Sequence, residues 1–162
     1  MRTRSAWMLA STPQNQDNMF PEANLSNSLE YGMNRAKLAW YNIDPLFLRN
    51  NSLTPDHIKD DQKGRDMQSN HLVREVFEQE IFPEREFTTG EPTNIAVLDL
   101  AFYPSERGPY NYDTGNSSHA AGVNTDGTLR DPESRWGGIM REIQTSDFEN
   151  ANIEYIEFWM MD

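Results

Sequence analysis

The chain has 162 residues, of which 36% are hydrophobic, a lower share than most globular domains have. Its formal net charge of −12 repels nucleic acid and anionic membrane surfaces, and this excludes a nucleic-acid-binding function. The chain contains no cysteine, which excludes disulfide frameworks and cysteine-based metal or nucleophile sites but leaves the redox compartment open.

Membrane and export signals are weak in this sequence. No apolar run approaches the roughly 20 residues of a membrane-spanning helix, so the chain is not expected to span a membrane. The N-terminus is basic, but the apolar stretch that follows is too short for a signal peptide. Two alternatives follow: a cytosolic protein, or an internal piece of a chain whose signal lies upstream.

Two strands are predicted in the first quarter of the chain. Residues 5–11 alternate as a short strand does. A loop rich in Asn, Pro and Ser follows. Residues 35–41 alternate more regularly and predict a second strand, with Ala36, Leu38 and Trp40 on one face.

Two helices are predicted next. The first has Thr54 as its capping residue and Pro55 in the first helical position, and it fades near Gly64. The second has apolar residues at helical spacing over 72–81 and ends before Pro83. A strand is the alternative for this second segment, because Val and Phe favour strands.

Two further strands are predicted on either side of a long loop. Residues 94–103 are apolar on both faces, as in a strand that is buried on two sides. A run of turn formers at 104–134 follows, and a loop of that length is usually functional or disordered. Residues 135–143 predict a strand that is kinked by two adjacent glycines.

A last strand is predicted over 153–160 and is also apolar on both faces. Such a strand promotes aggregation when it is exposed, so we expect it to pair with a strand inside 94–103 or 135–143. Five or six strands with one or two short helices and long loops predict a mainly β fold. The simplest architecture of this kind is a β-sandwich, which here is expected to be incomplete.

One acidic stretch resembles a calcium-binding loop through Asn124, Asp126 and Asp131. The EF-hand spacing fails, because Gly122 stands where the first carboxylate should be. Asp126 followed by Gly127 is a common hairpin dipeptide, so a turn is the favoured interpretation.

The sequence predicts no catalytic, cofactor or metal site. His57, His71 and His119 each lack a second histidine or cysteine at ligand spacing. No nucleophile elbow, phosphate-binding loop or dinucleotide-binding glycine pattern occurs. A hydrolase is therefore disfavoured.

Aromatic and arginine side chains near turns define a candidate interface or ligand surface, which consists of Arg107, Tyr110, Tyr112, Arg135 and Trp136. Residues of these types on loops can form a glycan platform or a protein-binding hot spot. In the alternative interpretation, the aromatic residues close a sandwich edge and Arg135 pairs with a nearby acid. Arg107 would then anchor the loop by bonding backbone carbonyls.

Five stretches carry a resemblance to a known family: WMLASTP, RAKLAWYNIDPLF, LDLAFYPSERGPYNYD, RWGGIMREIQTSDFE and NIEYIEFWMMD. Together and in this order they resemble the SprA (Sov) family, the giant outer-membrane translocon of the type IX secretion system in Bacteroidetes, which gliding motility also requires. The resemblance does not extend to residues 14–18, 50–68 and 114–125.

The resemblance implies that residues 1–162 are a single extramembrane module, a fragment of a much larger barrel-forming chain, with a galactose-binding-like jelly roll as its fold. It implies a non-enzymatic role without cofactors, at the cell surface or the periplasmic face of the outer membrane. The implied partners are the rest of the translocon chain, its outer-membrane partner subunits and secreted cargo proteins. A carbohydrate-binding module or a cell-surface adhesin domain is the alternative.

Overall fold

The structure is a computed structural model that describes residues 4–86, 93–115, 117–143, 145 and 147–161. These residues form two compact units. The first unit combines 4–41 with 100–142, and the second combines 42–99 with 143–161. The single module over 1–162 stays a prediction.

The described elements are short. The strands are β1 (Met8–Leu9), β2 (Ala36–Tyr41), β3 (Val76–Phe77), β4 (Asn94–Ile95), β5 (Asp99–Arg107) and β6 (Ile139–Met140). The α-helices are α1 (Pro45–Leu48), α2 (Asp56–Lys59), α3 (Gln62–Ser69) and α4 (Glu78–Ile81), and 3₁₀ turns cover Arg4–Ala6, Pro21–Leu25, Leu29–Gly32 and Pro132–Ser134.

The described strands pair two by two: β1 with β6, β2 with β5, and β3 with β4. In the first sheet Met8 lies opposite Met140, and in the third Val76 lies opposite Ile95, both antiparallel. Small antiparallel sheets with a few short helices agree with the mainly β prediction.

The core of the first unit is more polar than apolar. Its buried apolar side chains, among the residues described, are Ala23, Met33, Ala36 and Leu129. Its buried polar side chains are Thr12, Glu22, Asn34, Arg35, Asn111, Asp113 and Arg135. Because a buried polar group is costly unless it is hydrogen-bonded, this unit depends on its internal hydrogen bonds to stay folded.

The helices of the second unit differ from the prediction at their start. Thr54 does not cap α2; its hydroxyl lies 2.6 Å from the carbonyl oxygen of Arg49 and 3.0 Å from that of Leu46. The helical region also does not fade near Gly64, because α3 continues to Ser69. A side chain at position 64 would overlap the backbone of the preceding helix, so glycine permits this close packing.

The predicted helix over 72–81 is wrong in its first half. Val76 and Phe77 form strand β3, and only α4 that follows is helical. The β-branched and aromatic residues thus follow the alternative strand interpretation, since a neighbouring strand is present for them to pair with. The strand predicted over 94–103 is interrupted at 96–98 and then continues as β5 to Arg107.

The strand predicted over 153–160 is absent, and this prediction is wrong. The segment is extended without strand pairing, and most of its large apolar side chains are exposed, including Phe158 at 80%. Hydrophobic alternation shows which environment a segment requires but not whether a partner strand is available. The described strands near 94–103 and 135–143 pair with β3, β2 and β1 instead.

Candidate functional site

Arg135 lies at the centre of the polar core of the first unit. Its Nη1 donates to the carbonyl oxygen of Met33 at 2.9 Å and to Oδ2 of Asp113 at 3.0 Å. Its Nη2 donates to the carbonyl oxygen of Gly122 at 2.8 Å, and its Nε to that of Arg130 at 2.9 Å. The guanidinium therefore joins several chain segments and has little capacity left to bind a ligand.

Asn111 joins the loop after β5 to the segment just before β2. Its Nδ2 donates to the carbonyl oxygens of Met33 and Arg35 at 2.9 and 2.6 Å, and its Oδ1 accepts from the N–H of Asp113 at 3.1 Å. Arg107 adds a bond from Nη2 to the carbonyl oxygen of Asp113 at 2.6 Å. The loop is thus held through backbone atoms, which fixes the position of the aromatic residues it carries.

Glu22 is a fully buried acceptor in this core. Its Oε1 accepts from the indole Nε1 of Trp136 at 2.8 Å, and its Oε2 accepts from Nδ2 of Asn34 at 3.0 Å. Asn34 also donates to the carbonyl oxygen of His119 at 2.6 Å. One carboxylate from the 3₁₀ turn at Pro21–Leu25 therefore connects two distant parts of the chain.

Arg35 stacks on aromatic rings in the same core. Its guanidinium carbon lies over the ring of Trp136 at 5.2 Å from the centroid and over the ring of Tyr110 at 5.9 Å. The edge of Trp136 also meets Phe20 in a T-shaped contact at 5.2 Å. Burial lowers the pKa of Arg35, while nearby Tyr and Glu side chains oppose this shift. Cation–π contacts stabilise the charged form in this desolvated position.

The candidate surface divides between buried and exposed side chains. Tyr110 and Tyr112 are exposed, at 65% and 45%. Arg135 is buried, and Trp136 is half-buried with its indole N–H already bonded. Arg107 is exposed and anchors the loop through a backbone carbonyl, as the alternative interpretation expects. The two tyrosines are the members of the set that remain open to a ligand or partner.

Glu22, Asn111 and Asp113 are as central to this core as Arg135, but no sequence pattern singles them out. Each is a small or acidic residue in a stretch of turn formers, where polar side chains are usually solvated. The one signal that points to them is the number of aromatic and Arg residues nearby, because buried Arg and Trp need acceptors.

The stretch that resembles a calcium loop forms a hairpin turn. Val123 and Leu129 make an antiparallel bridge around it, and Gly127 has φ at +88°. The hydroxyl and N–H of Thr128 donate to Oδ1 of Asp126 at 2.7 and 2.9 Å, and these bonds lower the pKa of Asp126. The turn interpretation is confirmed.

No protein-family model matches this chain, and no curated protein matches it. Across the described ranges, no three His, Asp or Glu side chains gather where they could hold a metal ion. The longest described helix, α3, has eight residues, which is too short to cross a bilayer. The arrangement of the first unit holds its loops in place and leaves tyrosines at the surface.

Proposed function

We propose that this chain is a non-enzymatic, extramembrane structural module of an outer-membrane protein-conducting translocon that serves type IX secretion and gliding motility. The observation that carries the proposal is the apolar segment, residues 153–160. Tyr155 and Ile156 are both 78% exposed, Phe158 is 80% exposed and Met160 is 77% exposed. Exposed apolar area of this density is typical of a surface that a partner covers.

The pattern within the apolar segment favours insertion into a β-structure. Ile153, Tyr155 and Trp159 alternate with Ile156 and Phe158, so an extended conformation would be apolar on both sides. A strand of this kind is stable when other protein layers cover both of its faces. Each large side chain that is buried in this way contributes about 1.5–3 kcal/mol to stability. The proposed role is therefore to supply this strand to the larger translocon, where it completes a galactose-binding-like jelly roll.

The resemblance of five stretches to the SprA (Sov) family supports the choice of a translocon. The proposed module braces or caps the pore at the cell surface or the periplasmic face of the outer membrane. Its partners are the rest of the translocon chain, outer-membrane subunits and passing cargo. The polar core supports a scaffolding role, because Arg135 binds Asp113 and Trp136 binds Glu22 inside it.

The test replaces Ile156 and Phe158 by Ser within a full-length translocon and measures both its assembly and the export of a cargo protein. Assembly or export should be lost, because the replaced side chains no longer bury apolar area. The matched control replaces Glu154 and Glu157 by Gln in the same segment and should leave export intact. Normal export by the serine variant, or by a translocon that lacks residues 94–162, would contradict the proposal.

A carbohydrate-binding module or adhesin domain is the second candidate, and one observation favours it. Tyr110 is 65% exposed and has φ at +62°, a left-handed conformation that costs a non-glycine residue free energy. A strained, exposed aromatic residue is typical of a ligand site. Titration of the chain with soluble polysaccharides decides this: binding should weaken in both Tyr110→Ala and Tyr112→Ala, and binding that both variants leave unchanged would dismiss it.

A further inference from the structure

The second unit contains a cavity of about 310 Å³ that the proposed function does not use. Its volume lies at the lower end of the range for small-molecule sites. It is lined between α1, β3 and β4 by aliphatic side chains, among them Ile43, Leu48, Leu72, Val73, Val76 and Ile95. Met161 also contributes to the wall. The shape and lining suit an aliphatic body of a few carbon atoms.

The amide of Asn94 belongs to the cavity lining. Nδ2 of Asn94 donates to Oε1 of Glu75 at 2.5 Å, which orients the amide. The Oδ1 atom of Asn94 is buried and finds no hydrogen-bond partner among the described residues. A buried amide oxygen without a partner costs roughly 1–3 kcal/mol, but this oxygen has almost no accessible surface and does not face a ligand in the cavity.

Asp99 is an acceptor in the cavity lining. It accepts from the backbone N–H of Ile43, and burial raises the pKa of its carboxyl group. Within the described part of the chain, no Lys or Arg side chain forms an ion pair with it. The carboxylate therefore lacks a cation in a partly desolvated place, where an opposite charge interacts more strongly than in water.

The arginines at the cavity already have carboxylate partners. Nε of Arg49 lies 2.8 and 2.9 Å from the two carboxylate oxygens of Glu75. Arg74 binds both oxygens of Glu80, at 2.9 and 2.8 Å. Each arginine charge is therefore already compensated by a carboxylate, whereas Asp99 has no cationic partner among the described residues.

We propose that this cavity binds a small aliphatic primary ammonium. The alkyl chain packs against the aliphatic wall, and the ammonium donates hydrogen bonds to the Asp99 carboxylate. Charge-assisted hydrogen bonds of this kind are among the strongest that a site of this size can offer. This inference does not depend on the proposed translocon role.

The test titrates the full chain with n-hexylammonium and follows the backbone amide resonances of residues 94–99 by NMR. The ammonium should shift these resonances saturably, and hexanoate, which has the same alkyl chain and the opposite charge, should not. Equal shifts with both probes, or no saturable shift with n-hexylammonium, would overturn the proposal.

Variants distinguish the contribution of the Asp99 carboxylate to binding from the effect of removing any one negative charge. Asp99→Asn keeps the shape of the side chain and should weaken n-hexylammonium binding by about tenfold, since one charge-assisted bond is lost. Glu84→Gln removes the same charge from an exposed side chain of the same unit and should leave binding unchanged. Val97→Phe narrows the cavity and should also abolish binding, while the remaining amide resonances report that the chain is folded. Equal binding by Asp99→Asn and Glu84→Gln contradicts the assignment.

Discussion

Arg135 and Asp113 form an ion pair in which neither side chain has any exposed surface, with Nη1 3.0 Å from Oδ2. The guanidinium also donates to three backbone carbonyls, so both charges are desolvated and hydrogen-bonded. A pair of this kind contributes little beyond a well-packed apolar pair, but it makes the removal of one partner very costly.

The first prediction follows from this pair. Arg135→Met should lower the free energy of unfolding by about 3–5 kcal/mol, because Asp113 is left as an uncompensated buried charge. Urea unfolding followed by tryptophan fluorescence measures the change. Lys37→Gln is the control, since Lys37 pairs with Glu106 at 2.6 Å at an exposed position where ion pairs have little effect. Equal unfolding midpoints for the two variants would contradict the role given to Arg135.

The second prediction concerns the close approach of two backbone segments at Gly32. A Cβ atom at this position would lie 2.6 Å from the carbonyl oxygen of Tyr110, so one backbone would have to move. Gly32→Ala should therefore destabilise the chain by about 1–3 kcal/mol. At Gly115 an added Cβ meets nothing within 4 Å, and Gly115→Ala should stay within about 0.5 kcal/mol of the parent. Chemical unfolding of the two variants side by side tests the contact.

The third prediction concerns the hairpin turn at Gly127, where φ is +88°. Gly127→Ala should cost about 1–2 kcal/mol, because a side chain is strained in this region of backbone space. Thr125→Ala, at an exposed neighbouring position, serves as the control and should change the free energy of unfolding little. The thermal unfolding midpoints of both variants measure the difference. If alanine is tolerated equally at both positions, the turn does not need a left-handed residue.

The fourth prediction is a pH dependence that arises from Asp99. Burial raises the pKa of its carboxyl above the ordinary value of 3.8, so the folded state binds this proton more tightly than the unfolded state does. The ionised carboxyl of Asp99 therefore destabilises the folded state. This destabilisation is absent below pH 3.8 and develops as the pH rises from there through the raised pKa.

Asp99→Asn should accordingly raise the unfolding midpoint at pH 7, and the gain should vanish toward pH 3. Thermal unfolding of the variant and the parent across this pH range measures the effect. Glu84→Gln should show no such pH-dependent gain. A gain that grows as the pH falls would have the wrong sign for a buried carboxyl.

Several elements could be predicted from local residue patterns. Strand β2 lies where the alternation of 35–41 places it, and the Asp126–Gly127 turn lies where its dipeptide indicates. Both depend on backbone preferences of adjacent residues, so they need little information from the rest of the chain. Helix α1 is not predicted from the sequence, although Asp44 caps it and Pro45 opens it.

The candidate surface illustrates what local patterns cannot specify. Arg107, Tyr110 and Arg135 look alike as polar or aromatic residues near turns. In the structure Arg135 is buried and Tyr110 is exposed, because Arg135 meets Asp113 and the carbonyl of Met33, which lies far away along the chain. Burial of a charge depends on which acceptors surround it, and those acceptors come together only when the chain folds.

Composition, charge and alternation alone establish an acidic, cysteine-free chain with short strands, a long loop and an apolar segment at 153–160. Only the tertiary structure decides that the long loop supplies a polar core, that the 72–81 region is divided between strand and helix, and that the apolar segment stays unpaired. The physical reason is the same in each case. Local preference depends on neighbours along the chain, whereas pairing, burial and hydrogen-bond satisfaction depend on neighbours in space.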